Sequence, residues 1–355
     1  MSDRKRDWPL VVRRARPSDR AAVLGFATKT WNDWDYIPNA WPVWLDAPDG
    51  VLLVAAGPDD RAVAISRVAM VSETEAWLEG IRVDPAVRGM DVATDLQVAE
   101  LHWAAAQDAS VLRYATSARN EASHRLGARH GIELLVALHG YLWSLDPDEE
   151  PDEPSAFDAD VRAAASALRA TVLAGFVADG RIAAPADAAR LWRRLDGDAT
   201  FNAARRLYEP RPWAMGELSE GRFARHLERG EVVVFGGSDG QGTDWALAIL
   251  LREQLPGEDS TLRLALLCGD VSPAIDLLDR TRALAWSTLR FRLADASPLR
   301  TTGHDQLDSA GYHSGEWTLH LLGRPIDADH PIPDVDPARL VLADPPQPIL
   351  EPPAL

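Results

Sequence analysis

The chain has 355 residues with 54 acidic against 37 basic side chains, a net charge of −17 that disfavours nucleic acid and anionic membranes and favours cationic partners such as amines. The length suffices for two ordinary domains, each with its own core, and a lone cysteine, Cys268, excludes an intrachain disulfide framework and a multi-cysteine zinc site. No run approaches the roughly 18 apolar residues of a bilayer span and the opening MSDRKRDWPL has no apolar leader core, so a soluble, cytoplasmic protein without a membrane partner is expected.

In chain order, residues 12–16 read as a strand entering a helix, with Ser18 or Asp19 as its N-cap. Next comes an aromatic group, Trp31, Trp34, Tyr36, Trp41 and Trp44, interleaved with Asp33, Asp35 and Asp46. Such a group can wall a site for a cationic or aromatic amine, or it can pack as a helical cap with a solvated acidic face. Residues 50–56 and 62–69 form a hairpin pattern around Gly57-Pro58-Asp59-Asp60. A strand over 76–83 then stops at Asp84-Pro85, passes Arg88 and Gly89, and opens into an apolar-periodic helix over 92–106. A strand over 111–116, Asn120, a helix running to Gly131-Ile132 and a last strand through 141–145 complete a first domain, residues 1–146.

A strand-to-helix turn of this kind suits phosphate: the first N–H groups of a helix lack intrahelical partners, the helix dipole favours an anion there, and Arg88 adds a planar donor fork. The run Arg88-Gly89-Met90-Asp91-Val92-Ala93, preceded by Val83-Asp84-Pro85, resembles the R-x-x-G-x-A acyl-CoA pyrophosphate loop of the GNAT superfamily of N-acetyltransferases. Order and spacing match from about residue 10 to 145. The resemblance implies acetyl-CoA as co-substrate, with the diphosphate held by Arg88, Gly89, Met90, Asp91, Val92, Ala93 and Thr94. It implies that backbone groups of Ile81, Arg82 and Val83 pair with pantetheine, that the Asn120 amide reaches the same cofactor, and that Glu79 is the base that deprotonates the attacking amine. Ile132 stands after Gly131 where an aromatic is usual, and two further positions depart from the pattern. Asp91 stands where a glycine is usual and puts a carboxylate near the diphosphate. Gly127, seven residues after Asn120, stands where a thiolate-protonating tyrosine is usual.

Residues 146–155 (DPDEEPDEPS) are acidic and proline-bearing, and 147–156 read as a linker. Helical periodicity follows over 157–177 and 186–195. A helix over 223–229, strands over 231–235, 245–251 and 261–268, a helix over 275–288, a strand over 291–294, a short helix over 305–310 and a strand over 317–322 then repeat the element order of the first half. This predicts an α/β (α+β) protein of two tandem GNAT-like lobes, each a mixed, mostly antiparallel twisted sheet flanked by helices, similar to two-lobed acetyltransferases of the mycothiol synthase type. The second lobe spans 157–325. Its equivalent loop, residues 269–276, has no arginine, two aspartates and Pro273, and is expected not to bind coenzyme A. Residues 326–355 are a proline-rich tail expected to wrap a lobe or remain coil.

The function expected is transfer of an acetyl group from acetyl-CoA to an amine by direct attack in a ternary complex, with Glu79 as base and Trp31, Trp34 and Tyr36 facing the acceptor. The expected partner is a small-molecule amine, no metal is expected, and the assembly is a monomer or homodimer. The alternative is a GNAT-like pseudoenzyme that binds a ligand or partner without turnover. Gly236-Gly237-Ser238-Asp239-Gly240 matches a hydrolase nucleophile elbow, but a strand rather than a helix is predicted after it, which favours a hairpin loop.

Overall fold

The computed structural model describes residues 6–28, 35–144, 180–236, 244–253, 261–282 and 288–341. Over the described residues the chain divides into two compact units: residues 6–135 together with 321–341, and residues 136–320. The acidic segment 146–155, in which the sequence places the division, lies outside the described residues, as does the expected helix over 157–177.

The first unit opens with β1 (Val11–Arg14), α1 (Arg20–Ala27) and α2 (Ile37–Leu45), followed by β2 (Gly50–Ala56), β3 (Ala62–Met70) and β4 (Glu75–Val83). Then come α3 (Val92–Ala106), β5 (Val111–Ser117), α4 (Glu121–Arg129) and the start of β6 (Glu133–Ser144). β1 to β4 pair antiparallel with their neighbours, and β5 joins β4 in parallel, so the sheet is mixed. Every residue of β2 and β3 is buried because both faces are covered, which is why these strands read as near-continuous apolar runs. Val51, Leu53 and Val68 pack with Leu96, Ala99 and Trp103 of α3, while Leu52, Val54 and Ile65 pack with Val23 and Phe26 of α1 and Trp41 of α2.

Asp19, expected as an N-cap, takes a different role. Its carboxylate accepts the Arg16 N–H at 2.7 Å and a bidentate pair from Arg13 at 2.8 and 2.9 Å, and makes no cap bond to the helix that follows. The arginine two residues upstream of Ala15 offers a charge-assisted partner, which outcompetes a neutral amide.

The second unit holds most of β6, then β7 (Gly180–Ile182), α5 (Ala188–Asp196), α6 (Ala199–Ala203), a hairpin of β8 (Leu207–Arg211) and β9 (Ala214–Glu217), and α7 (Glu220–Glu228). β10 (Val232–Phe235), β11 (Ala246–Glu253), β12 (Thr261–Gly269), α8 (Val271–Arg282) and β13 (Thr288–Ala294) follow. Its sheet runs β6-β13-β12-β11-β10-β7, with β12 and β13 parallel and the other pairs antiparallel. The helix predicted over 275–288 starts at Val271 instead, and residue 288 already belongs to a strand. Pro273 causes the misreading: in a first helical turn its missing N–H costs nothing, so it opens the helix rather than delaying it. β10 and β11 form an antiparallel pair through Phe235 and Ala246, and residues 237–240 of the glycine-rich match between them lie outside the described residues.

The described residues from 321 to 341 return to the first unit. β14 (His313–Pro325) carries Leu322 into the core beneath α3, and Gly323 lies against Leu112 and Arg113 of β5. The Arg324 guanidinium donates to the His130 carbonyl at 2.7 Å, and β15 (Leu340–Val341) pairs in parallel with β1. Over its described part, the proline-rich tail therefore wraps the first unit. No described helix is long and apolar enough to cross a membrane.

Candidate active site

The site is set by how β4 ends. Its parallel register with β5 runs only from Glu75↔Val111 to Trp77↔Arg113, while both strands continue, to Val83 and to Ser117. On its other edge the β3 register slips between Ile65↔Arg82 and Arg67↔Glu79, leaving an extra residue at Gly80-Ile81. Such a bulge re-aims the backbone of one strand. Gly80 has φ +76°, and a Cβ there would sit 2.5 Å from the Trp44 ring, so only glycine satisfies both the backbone and the packing of α2.

Beyond the bulge, Asp84 caps a short turn, Pro85–Val87, by accepting the Ala86 N–H at 2.9 Å. Arg88 is exposed and its Nε donates to the Val83 carbonyl at 3.2 Å. Gly89 has φ +78° with nothing within 4 Å of a would-be Cβ, which leaves an open cradle, and Asp91 takes the left-handed conformation at φ 56° immediately before α3. Asp is one of the few side chains tolerated there, which explains how it replaces a glycine. No side chain caps α3, so its first-turn N–H groups point outward with the positive end of the helix dipole.

Asp91 does not face this dipole unaccompanied. Its carboxylate pairs with Arg129 of α4 at 2.8 Å, and the same Arg129 Nη1 lies 3.3 Å from Thr94 Oγ1. Asp95, one turn on, is held by Arg6 at 2.8 Å and Arg339 at 3.1 Å. Among the described residues, these two groups of paired charges around the first turn of α3, together with Arg88, comprise four arginines and two aspartates, an electropositive corner in an acidic chain. The open cradle, the uncapped helix and this charge fit the diphosphate of coenzyme A. Met90, Val92 and Ala93 contribute backbone to the turn, with Val92 buried as its anchor in the core.

The other expected residues fall as follows. Glu79 lies opposite Arg67, whose buried guanidinium donates to it and, at 2.6 Å, to Asp49. Arg82 is bound to Asp35 at 2.7 Å and 3.3 Å, and Asp35 also accepts the Ile37 N–H that starts α2. Tyr36 lies under the Arg82 guanidinium at 5.2 Å and meets Trp44 edge-on at 5.8 Å, and burial pushes its phenol pKa up. Tyr36 and Trp44 thus lie against the chain's own arginines, and Trp41 is buried in the core. Trp31 and Trp34 lie outside the described residues. Asn120 caps α4: its Oδ1 accepts the Ser123 N–H at 3.2 Å and its Nδ2 donates to Thr116 Oγ1 at 2.9 Å. Gly127 is fixed by packing, since a Cβ would meet the Tyr114 hydroxyl at 2.3 Å; that hydroxyl donates to the Ser123 carbonyl. Among the described residues no group of three His, Cys, Asp or Glu could hold a metal ion.

Sequence reasoning missed Arg67, Arg129 and Glu100. Glu100, on the α3 face, is fully buried with Ser66 donating to it, and burial raises its pKa to about 8. A charged residue inside an apolar strand or helix, as Arg67 and Glu100 are, signals a buried polar pair. Arg129 gave no comparable signal.

In the second unit the corresponding passage runs from β12 to α8. β12 passes through Gly269 and Asp270 directly into α8, and the Asp270 carboxylate accepts the Trp245 N–H at 3.1 Å. β12 and β13 also part after two paired residues, but the space beside Glu209, Leu264 and Arg292 is a cavity of about 20 Å³, room for one water.

Residues 19–132, within the first unit, match the model of the acetyltransferase (GNAT) family. No curated protein matches the chain. Solved structures similar to it include a GCN5-related N-acetyltransferase from Sphaerobacter thermophilus, 14% identical over 92% of this chain and 98% of that one with a TM-score of 0.48. A GCN5-related N-acetyltransferase from Kribbella flavida is 15% identical over 89% of this chain and 72% of that one, with a TM-score of 0.41. Ard1 from Thermoplasma volcanium is 20% identical over 36% of this chain and 85% of that one, with a TM-score of 0.33.

Proposed function

We propose that the first unit is a GNAT domain and works as an acyl-CoA-dependent N-acyltransferase, most simply an N-acetyltransferase, acting on the amine of a small molecule. The observation that carries this reading is the juxtaposition of an uncapped helix, the open turn at Gly89 to Asp91 and the bulged, parted end of β4. Residues 88–94 hold the diphosphate, and the backbone of Ile81 to Val83 aligns the pantetheine arm so that the thioester lies beside Gly80. Acetyl-CoA supplies the activated acyl group when bound. An ammonium has no lone pair for attack, so Glu79, one residue before the bulge, takes the proton from the acceptor amine. Holding both partners at the parted strands is the main source of rate, because it turns a bimolecular attack into a unimolecular one. A thiolate leaves readily near neutral pH, so the place that Tyr114 fills beside Gly127 needs no acid.

The reading is tested by titrating the protein with acetyl-CoA and coenzyme A in a calorimeter and by following thiol release across a panel of amines. Binding with amine-dependent thiol release is expected. Absence of cofactor binding at millimolar concentration contradicts it. Binding without transfer to any amine supports instead a non-catalytic ligand-binding protein, a reading favoured by the engagement of Glu79 with Arg67.

A further inference from the structure

We propose that Arg67 is a positioning residue for Glu79, holding the base at the bulge and coupling it to the aromatic helix above; this rests on the acyltransferase reading. Arg67 occupies the middle of β3, a strand buried on both faces, and its side chain is 3% exposed. A guanidinium in that place is sustained only by charged partners. Among the described residues it has two: Nη1 donates to Glu79 and Nη2 to Asp49 at 2.6 Å, so its planar fork spans two carboxylates from different elements. The bulge makes this possible, because the register slip after Ile65 sets Arg67 directly across from Glu79. The guanidinium also lies 5.6 Å from the Trp44 ring centroid, and Trp44 is the side chain that presses on Gly80.

One cation thus ties together the base, the turn before β2 and the ring that sits over the bulge. Glu79 is 20% exposed, enough to meet an acceptor, while the arginine behind it is sealed. A carboxylate on a strand edge has several rotamers. A rigid fork selects one, and a lysine, a point charge on a flexible stem, can supply the attraction without the orientation.

The test compares wild type, Arg67→Lys and Arg67→Met in steady-state transfer from acetyl-CoA to the best amine of the panel, with calorimetric affinity for coenzyme A measured on each. Misplacement of a catalytic group by about 1 Å costs roughly 100-fold. Arg67→Met is therefore expected to lower kcat by about 100-fold, with coenzyme A affinity within about threefold of wild type because the phosphate loop is untouched, and Arg67→Lys is expected to recover part of that loss. A kcat for Arg67→Met within twofold of wild type overturns the proposal, as does a parallel loss of coenzyme A affinity, which marks general damage to the domain. Lack of transfer by the wild type overturns the acyltransferase reading and this inference with it.

Discussion

At the scale of single residues, the loop is decided by Asp91. A carboxylate beside a diphosphate is repulsive, yet this one occupies a left-handed position and is paired with Arg129 across 38 residues of sequence. Asp91→Gly keeps the backbone conformation and removes the charge, so calorimetry is expected to show coenzyme A binding about threefold to tenfold tighter, the effect of about 1 kcal/mol. Unchanged affinity would show that Arg129 already cancels the repulsion. Glu100 gives a pH test. Its pKa is about 8 in the folded protein against an ordinary 4.5, so the folded state binds the proton more tightly. The stability this contributes is complete below pH 4.5 and is lost as the pH rises to 8. Urea unfolding from pH 5 to 8 is expected to favour Glu100→Gln progressively, by at most about 1.4 kcal/mol per pH unit relative to wild type; a constant gap contradicts the assignment. The turn from Arg88 to Asp91 was legible because backbone chemistry fixes its spacing. Its counter-ions were not, because Arg6, Arg129 and Arg339 arrive from three distant segments.

At the scale of elements, the site is a strand defect covered by a helix. Gly80→Ala introduces a Cβ at φ +76°, 2.5 Å from the Trp44 ring. Backbone strain of this kind costs about 1–3 kcal/mol, and the clash adds to it. Thermal unfolding is expected to show the loss, and transfer to suffer more than coenzyme A affinity, since the bulge and not the loop is altered. Equal loss of both would mean that the bulge also shapes the phosphate turn. The elements β2, β3, β4 and α3 were readable from local patterning, whereas the places of β5 and α4 came with the family resemblance. A single glycine in a strand hints at a bulge, but no local pattern tells that Trp44 lies over it or that Asp35, in an aromatic and acidic run suited to a ligand, instead fastens α2 to Arg82.

At the scale of the whole chain, the first unit is completed by residues from the far end. Leu322 lies in its core, Ile326 donates its N–H to the Ser110 carbonyl at 2.9 Å, and Arg339 reaches Asp95 in the first turn of α3. A chain ending at His320 is expected to expose residues 6–135 to limited proteolysis and to lose coenzyme A binding, although the loop itself is intact. Unchanged protection and affinity would show that the returning segment is dispensable. The order of antiparallel strands, helix and parallel strand recurs in both units, and patterning along the chain could carry that order. The return of the tail to a particular edge depends on pairings between residues such as Leu340 and Val12, which no periodicity encodes.

The most direct test is a crystal structure of the protein grown with acetyl-CoA. The diphosphate is expected against the backbone amides of residues 89–93, with the thioester beside Gly80 and Ile81 and the Glu79 carboxylate facing the open side. A cofactor bound elsewhere, or this corner empty at saturating acetyl-CoA, would contradict the account.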